Sequence, residues 1–230
     1  MFFDPLYLAF ALPGLLLALY ATFKTKATFA KYAKVNAGSR LTGAAAAERL
    51  LSRAGVRNVK IETAQGFLSD HYDPSTRTLR LSPDVFHSTG LSAIGVACHE
   101  AGHALQHAQG YRWLSLRTAL VPATHVSSWL SYIVITLGFI MASTPFILLG
   151  AFIFSAAVVF SIVTLPVEYD ATRRAKELMV SSGVVAAREA EQAGEVLNAA
   201  FLTYVAAAVS SLLLFAYYLM RSGVFGRRGS

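Results

Sequence analysis

With 230 residues, 55% of them hydrophobic and 14% charged, the chain has a mean hydropathy of +0.50, which excludes an ordinary soluble domain of this size. Its single cysteine, Cys98, excludes an intrachain disulfide and leaves a reducing compartment open. The net charge of +7 reads as balance at a membrane surface rather than a nucleic-acid footprint, because Lys24, Lys26, Lys31 and Lys34 interleave with Phe29 and Tyr32 directly after an apolar stretch.

That stretch, Pro5 to Phe23, has 19 residues without a charge, enough to cross a hydrocarbon core of about 30 Å as a helix. Asp4 precedes it, no Lys or Arg does, and no small-x-small cleavage site follows, so an uncleaved span is expected rather than a signal peptide. Pro13-Gly14 predicts a kink.

In the polar segment that follows, Thr42 to Ala54 reads as a helix stopped by Gly55, and Asn58 to Thr63 as a strand. Asp73-Pro74-Ser75-Thr76 is a turn before a second strand, Arg77 to Ser82. Such a strand could pair with an extended peptide by its edge, or serve only the small sheet. Ser82-Pro83 and Ser88-Thr89-Gly90 then punctuate the approach to a helix carrying His99-Glu100-Ala101-Gly102-His103.

This is an H-E-x-x-H motif. On a helix the two histidines fall one turn apart on the same face, so both imidazoles can reach one Zn²⁺ while Glu100 projects beside them as a general base. The motif helix is not itself a span: only Leu91 to Cys98 is apolar before His99, and Gln106, His107, Gln109 and Arg112 follow. A site at the membrane interface is expected, not one inside a span as in site-2-type intramembrane proteases.

From Ala119 to Val167 there are 49 residues without Asp, Glu, Lys or Arg, too many for one crossing. Ala142-Ser143-Thr144-Pro145 supplies the break, giving spans near 119–141 and 145–166, and Ala199 to Met220 makes a fourth near 199–220. His125, inside the second span, reads as a histidine hydrogen-bonded within the bundle or as a functional group. A metal transporter, which would place its ligands within the spans, is disfavoured, since His125 is the only side chain of the His, Asp, Glu, Lys and Arg types from Ala119 to Val167.

The polar segments 24–118 and 168–198 are separated by an even number of crossings and share one side. Of the 20 Lys and Arg, 13 lie in the first and four in the second, leaving Arg221, Arg227 and Arg228 at the C-terminus. The positive-inside rule makes the shared side cytoplasmic, with both termini outside.

A catalytic zinc needs a third protein ligand and an open fourth position. The H-E-x-x-H-x-x-G-x-x-H arrangement fails, because Gln106 and Gln109 stand where it needs Gly and His. His107, one further turn along the stripe, cannot easily join the ion from a straight helix and reads as a supporting or substrate-contacting group. The third ligand must come from the same side, and Glu168 emerges just after the third span, where Pro166 can open a new helical turn. Asp170 is the alternative ligand, or orients a ligating histidine through its other ring nitrogen. The competing reading of Glu168 is a carboxylate favoured by a helix N-terminus. His107, Tyr169, Arg173 and Arg174 are candidate donors to a developing oxyanion.

His99 to His107 followed by Gly110-Tyr111, with Asp70-His71-Tyr72-Asp73-Pro74 upstream and Glu168-Tyr169-Asp170-Ala171 downstream, resembles the neutral zinc metallopeptidases of the YugP-like membrane family over nearly the whole chain. The resemblance implies a gluzincin-type site with His99, His103 and Glu168 as ligands of Zn²⁺ and Glu100 as catalytic base. More distantly the chain is similar to the HtpX and CAAX-prenyl proteases, which carry Glu-x-x-x-Asp; here Thr172 stands where those have Asp. The expectation is a mainly α integral membrane protein with about four transmembrane helices and a small α+β zincin-like catalytic region. Residues 1–230 are read as one membrane metallopeptidase domain, multi-pass in a bacterial cell membrane, with its site facing the cytoplasm. Its expected partners are the lipid bilayer and polypeptide substrates, membrane proteins foremost, and no nucleic acid. A non-catalytic zinc-binding scaffold is the alternative, though it has no use for Glu100 beside both histidines.

Overall fold

A computed structural model of the chain describes residues 4–66 and 69–224; Arg227 and Arg228 of the charge argument lie outside the described residues. Helix α1 (Pro5–Ala33) and helix α2 (Gly43–Arg53) are followed by strands β1 (Lys60–Thr63), β2 (His71–Asp73) and β3 (Thr78–Leu81). Then come α3 (Pro83–Phe86), α4 (Leu91–Ala108), α5 (Arg112–Ile140), α6 (Thr144–Ser181) and α7 (Ala187–Arg221). The protein is mainly α, and four of these helices, α1, α5, α6 and α7, are long and apolar enough to cross a membrane. The chain divides into two compact units: Met1–Ala21, Leu116–Pro166 and Thr203–Ser230 form one, and Thr22–Ser115 with Val167–Leu202 form the other.

The first unit is built from apolar helix segments whose large side chains mostly face outward. Phe152 and Ile140 are each 75% exposed and Trp129 69%, the surface a helix bundle presents when its surroundings are lipid rather than water. Inside, close approach depends on small residues. A Cβ on Gly150 would lie 3.0 Å from the Ile135 backbone nitrogen, and one on Gly14 3.0 Å from the Ser210 Cα. Tyr217 is fully buried, with its hydroxyl 3.1 Å from Asp4 Oδ2 and its ring stacked on Phe139. The α5–α6 connection is a tight turn with Ala142 at φ 49°. His125 is exposed on α5 without a hydrogen-bond partner among the described residues, because its helix face points away from the unit; the bundle hydrogen bond expected for it does not form.

The second unit has a conventional core. Thr42 caps α2 by accepting from Ala45 N at 3.2 Å, and Gly55 at φ 78° stops the chain from continuing as helix. The amphipathic face of α2, with Leu50 and Leu51, packs with Leu79, Leu81, Val85, Ile94, Leu105 and Met179. Helix α4 lies within this core, 13 of its 18 residues being buried. The sheet order is β1-β3-β2, β1 running parallel to β3 and β2 antiparallel to it. The strand preceding the motif helix is therefore paired on both sides and has no edge to offer a peptide. The edge toward α4 belongs to β2, a three-residue strand absent from the sequence reading because His71-Tyr72-Asp73 is too short and too polar to register.

Helix α6 continues without interruption through Pro166. Glu168 is thus an interior helical residue, and the helix-N-terminus reading of its carboxylate is set aside. Proline is tolerated there because apolar surroundings leave the backbone no better alternative than helix, with Thr164 Oγ1 bonding the Phe160 carbonyl at 2.8 Å one turn earlier.

Candidate metal centre

His99 and His103 occupy successive turns of α4, their ring centroids 4.9 Å apart and nearly perpendicular at 85°. Glu168 arrives from α6, 1% exposed, with Oε2 3.1 Å from His99 Nε2 and 3.6 Å from His103 Nε2. Glu100 shares the cluster: one ligand-type atom from each of His99, Glu100 and His103 lies within 4.8 Å of the others. Two carboxylates thus compete for the place of third ligand. Tetrahedral donors at 2.0–2.1 Å from zinc are about 3.3 Å apart, a value that the two Glu168 separations bracket. Glu100 Oε2 is instead engaged by the backbone N–H of Tyr72 on β2 at 3.1 Å, which holds the carboxylate beside the histidines.

The second ring nitrogens are engaged too. Gln106 lies three residues beyond His103 and is fully buried; its Nε2 donates to the Val167 carbonyl and to Asp170 Oδ2, both at 2.9 Å. Those two acceptors fix the amide's orientation, so Gln106 Oε1, 3.0 Å from His103 Nδ1, must accept from an Nδ1–H. In the neutral imidazole that tautomer puts the lone pair on Nε2, facing Glu168 Oε2. Two acceptors face each other across 3.6 Å, an arrangement that suits a shared cation. The donor set fits Zn²⁺: two imidazoles, one buried carboxylate and partners for the remote ring nitrogens. At His99, Thr172 Oγ1 lies 3.3 Å from Nδ1, so the second nitrogen of this imidazole meets a hydroxyl.

The remaining expected residues are distributed unevenly. Asp170 meets Gln106 and not an imidazole, and is itself gripped by Arg173 at 2.8 Å and by Arg174. Arg174 also reaches Gln109 Oε1 and lies over the Tyr111 ring at 5.7 Å. His107 Nδ1 is 2.8 Å from the Tyr72 hydroxyl, whose pKa burial pushes above the usual tyrosine range, so it remains a hydroxyl. Tyr169 is 60% exposed, with its ring edge-on to Phe201 at 6.0 Å. Cys98 is fully buried beside His99 within the core cluster, and burial raises its thiol pKa strongly, which leaves it a packing residue. Gln106, Thr172 and Tyr72 were not singled out as site residues from the sequence. The i, i+3 spacing of His103 and Gln106 and the i, i+4 spacing of Glu168 and Thr172 were the local signals available.

A family described as "Putative neutral zinc metallopeptidase" matches residues 7–223 of the chain. "Putative membrane protease YugP" of Bacillus subtilis (strain 168) is 43% identical over 215 residues, covering 94% of this chain and 96% of that protein. No solved structure matches.

Proposed function

Because the chain belongs to this family of neutral zinc metallopeptidases, we propose that it is a gluzincin-type, zinc-dependent endopeptidase hydrolysing membrane or membrane-proximal proteins. The observation that carries the reading is Glu168 Oε2 lying 3.1 and 3.6 Å from the Nε2 atoms of two histidines one turn apart, with Glu100 beside them.

In this reading His99, His103 and Glu168 hold the ion. What zinc supplies when bound is Lewis acidity, lowering the pKa of water toward about 7 and polarising a scissile carbonyl. Glu100, steadied by the Tyr72 N–H, takes the proton of the attacking water and returns it to the leaving amine. Arg173 and Arg174 are committed to Asp170, so the oxyanion donor falls to His107 or Tyr169. The four apolar helices serve as bilayer anchors, and residues 1–230 work as one domain: spans near 5–23, 119–141, 145–166 and 199–220, catalytic segments 24–118 and 168–198. The excess of Lys and Arg in residues 24–118 supports a site on the cytoplasmic side of a bacterial cell membrane.

The test is Glu100→Gln in purified, detergent-solubilised protein, with casein or a membrane protein as substrate and zinc measured by metal analysis. Zinc is retained and cleavage falls by about 10²–10⁴ if Glu100 is the base. Cleavage at the wild-type rate refutes the mechanism. A wild-type chain that binds zinc and cleaves nothing becomes a scaffold.

A further inference from the structure

The side chain of Gln106 has no part in the chemistry above, yet it is 0% exposed and makes three hydrogen bonds in one cluster. A buried amide is costly unless satisfied, and here each of its groups faces a partner from a different source. Oε1 faces the imidazole of His103; Nε2 faces a carbonyl and a carboxylate of α6, 61 and 64 residues away in sequence. The carboxylate, Asp170, is in turn held by the guanidinium groups of Arg173 and Arg174.

We propose that Gln106 is a positioning residue for the metal centre: it holds His103 in the Nδ1–H tautomer, with Nε2 free to ligate, and Asp170 holds Gln106. This rests on the reading of His103 as a zinc ligand. The physical argument is directional. An imidazole can offer a lone pair to an ion from only one nitrogen at a time while the other carries the proton, and the choice follows the partner of the remote nitrogen. At His103 that partner is an amide oxygen that cannot donate, because the amide's N–H groups are committed to Val167 and Asp170. The arginine-clamped Asp170 prevents the amide from flipping, since a flipped Gln106 would turn its oxygen toward a carboxylate and a carbonyl. The ring orientation is thereby set from α6, the helix that also supplies Glu168. In place of the common carboxylate–histidine–metal triad, this site has a carboxylate acting one hydrogen bond further out, through a neutral amide.

The substitution that separates positioning from structural cross-linking is Gln106→Glu. It keeps an oxygen acceptor for His103 Nδ1 but loses the N–H groups that tie α4 to α6; Gln106→Leu loses both. The full chain is purified in detergent and its zinc affinity measured by competition with a chromophoric chelator, alongside thermal unfolding. Gln106→Leu is expected to bind zinc about 10–100-fold more weakly, the cost usual for losing such a partner, and Gln106→Glu to stay within about threefold of wild type or bind more tightly. If Gln106 were only a structural tie, Gln106→Glu, with an anion facing Asp170, would be at least as damaging as Gln106→Leu, and that order overturns the proposal. So does a Gln106→Leu affinity equal to wild type. Should Gln106→Leu fail to fold, Gln106→Glu decides alone: affinity well below wild type counts against positioning. His99→Ala runs beside these variants. If it binds zinc as wild type does, the metal-site reading fails and this inference with it. If it loses zinc while Gln106→Leu keeps it, only the role of Gln106 fails.

Discussion

Gly102 occupies an x position of the H-E-x-x-H motif, where the motif itself accepts any helix-forming residue. On that view Gly102→Ala stabilises α4 by about 1 kcal/mol, the usual helix-propensity gain. The packing reverses the sign. A Cβ at Gly102 would lie 2.8 Å from the Ala171 carbonyl oxygen, 3.3 Å from its Cα and 3.4 Å from its carbonyl carbon, all backbone atoms of α6 that no rotamer change can remove. An acceptable C···O contact begins near about 3.3 Å, so α4 must retreat from α6 by roughly 0.5 Å. Glu168 sits on that stretch of α6, and its separations of 3.1 and 3.6 Å from the two histidines would open by a similar amount. Zinc sites tolerate only about 0.2 Å in ligand distance, so either the metal is lost or its binding must pull the helices back together. Overpacking of this kind costs about 1–3 kcal/mol. If that strain is released in the zinc-free protein and re-imposed on binding, affinity falls by roughly 5- to 150-fold. Chelator competition on the purified full chain measures the affinity, and thermal unfolding with and without zinc measures the increment the metal contributes. A Gly102→Ala protein that binds zinc as wild type does and unfolds at a higher temperature would refute the reasoning.

Two further outcomes follow from the same geometry. Glu168→Ala removes the carboxylate shared by both histidines, and metal analysis should show zinc falling below stoichiometric amounts; an unchanged value would move the third ligand to Glu100 or elsewhere. The Asp73 carboxylate accepts from the hydroxyls of Ser75 at 2.6 Å and Thr76 at 2.7 Å and from Arg80, and these bonds hold its pKa well below the usual carboxylate range. A depressed folded-state pKa stabilises the β2–β3 turn at neutral pH. That stabilisation is lost as pH falls from the ordinary Asp value of about 4 through the lower folded value. Hydrogen-exchange protection of the sheet should therefore weaken with acid in the wild type and be weaker but flatter in Asp73→Asn. Identical acid profiles would remove Asp73 from the account.

Much of the site could be read along the chain because its chemistry is local. Two imidazoles at i and i+4 share a helix face whatever surrounds them, and charge-free runs of 19 and 49 residues have few alternatives to spanning a bilayer. Glu168 became a candidate through the expected topology, in which an even number of spans would bring residues 24–118 and 168–198 to one side. What escaped had no local signal. Strand β2 is three residues long and exists because it pairs with β3 and meets Glu100 through the Tyr72 N–H, a contact between residues 28 apart. Pro166 looked like a helix start, but whether a proline begins a helix or is carried within one depends on its surroundings.

By itself, then, the sequence determined the four long apolar helices, the histidine pair with Glu100 beside it, and the residue types able to complete a zinc site, because those follow from spacing, charge and side-chain chemistry. Only the tertiary structure decided which carboxylate faces both histidines and which amide and hydroxyl meet their second nitrogens. It also decided that Gly102 must be glycine. These are properties of two helix faces brought within van der Waals contact, and a distance across such a contact is set by all the side chains between the backbones, not by the order of residues along either one.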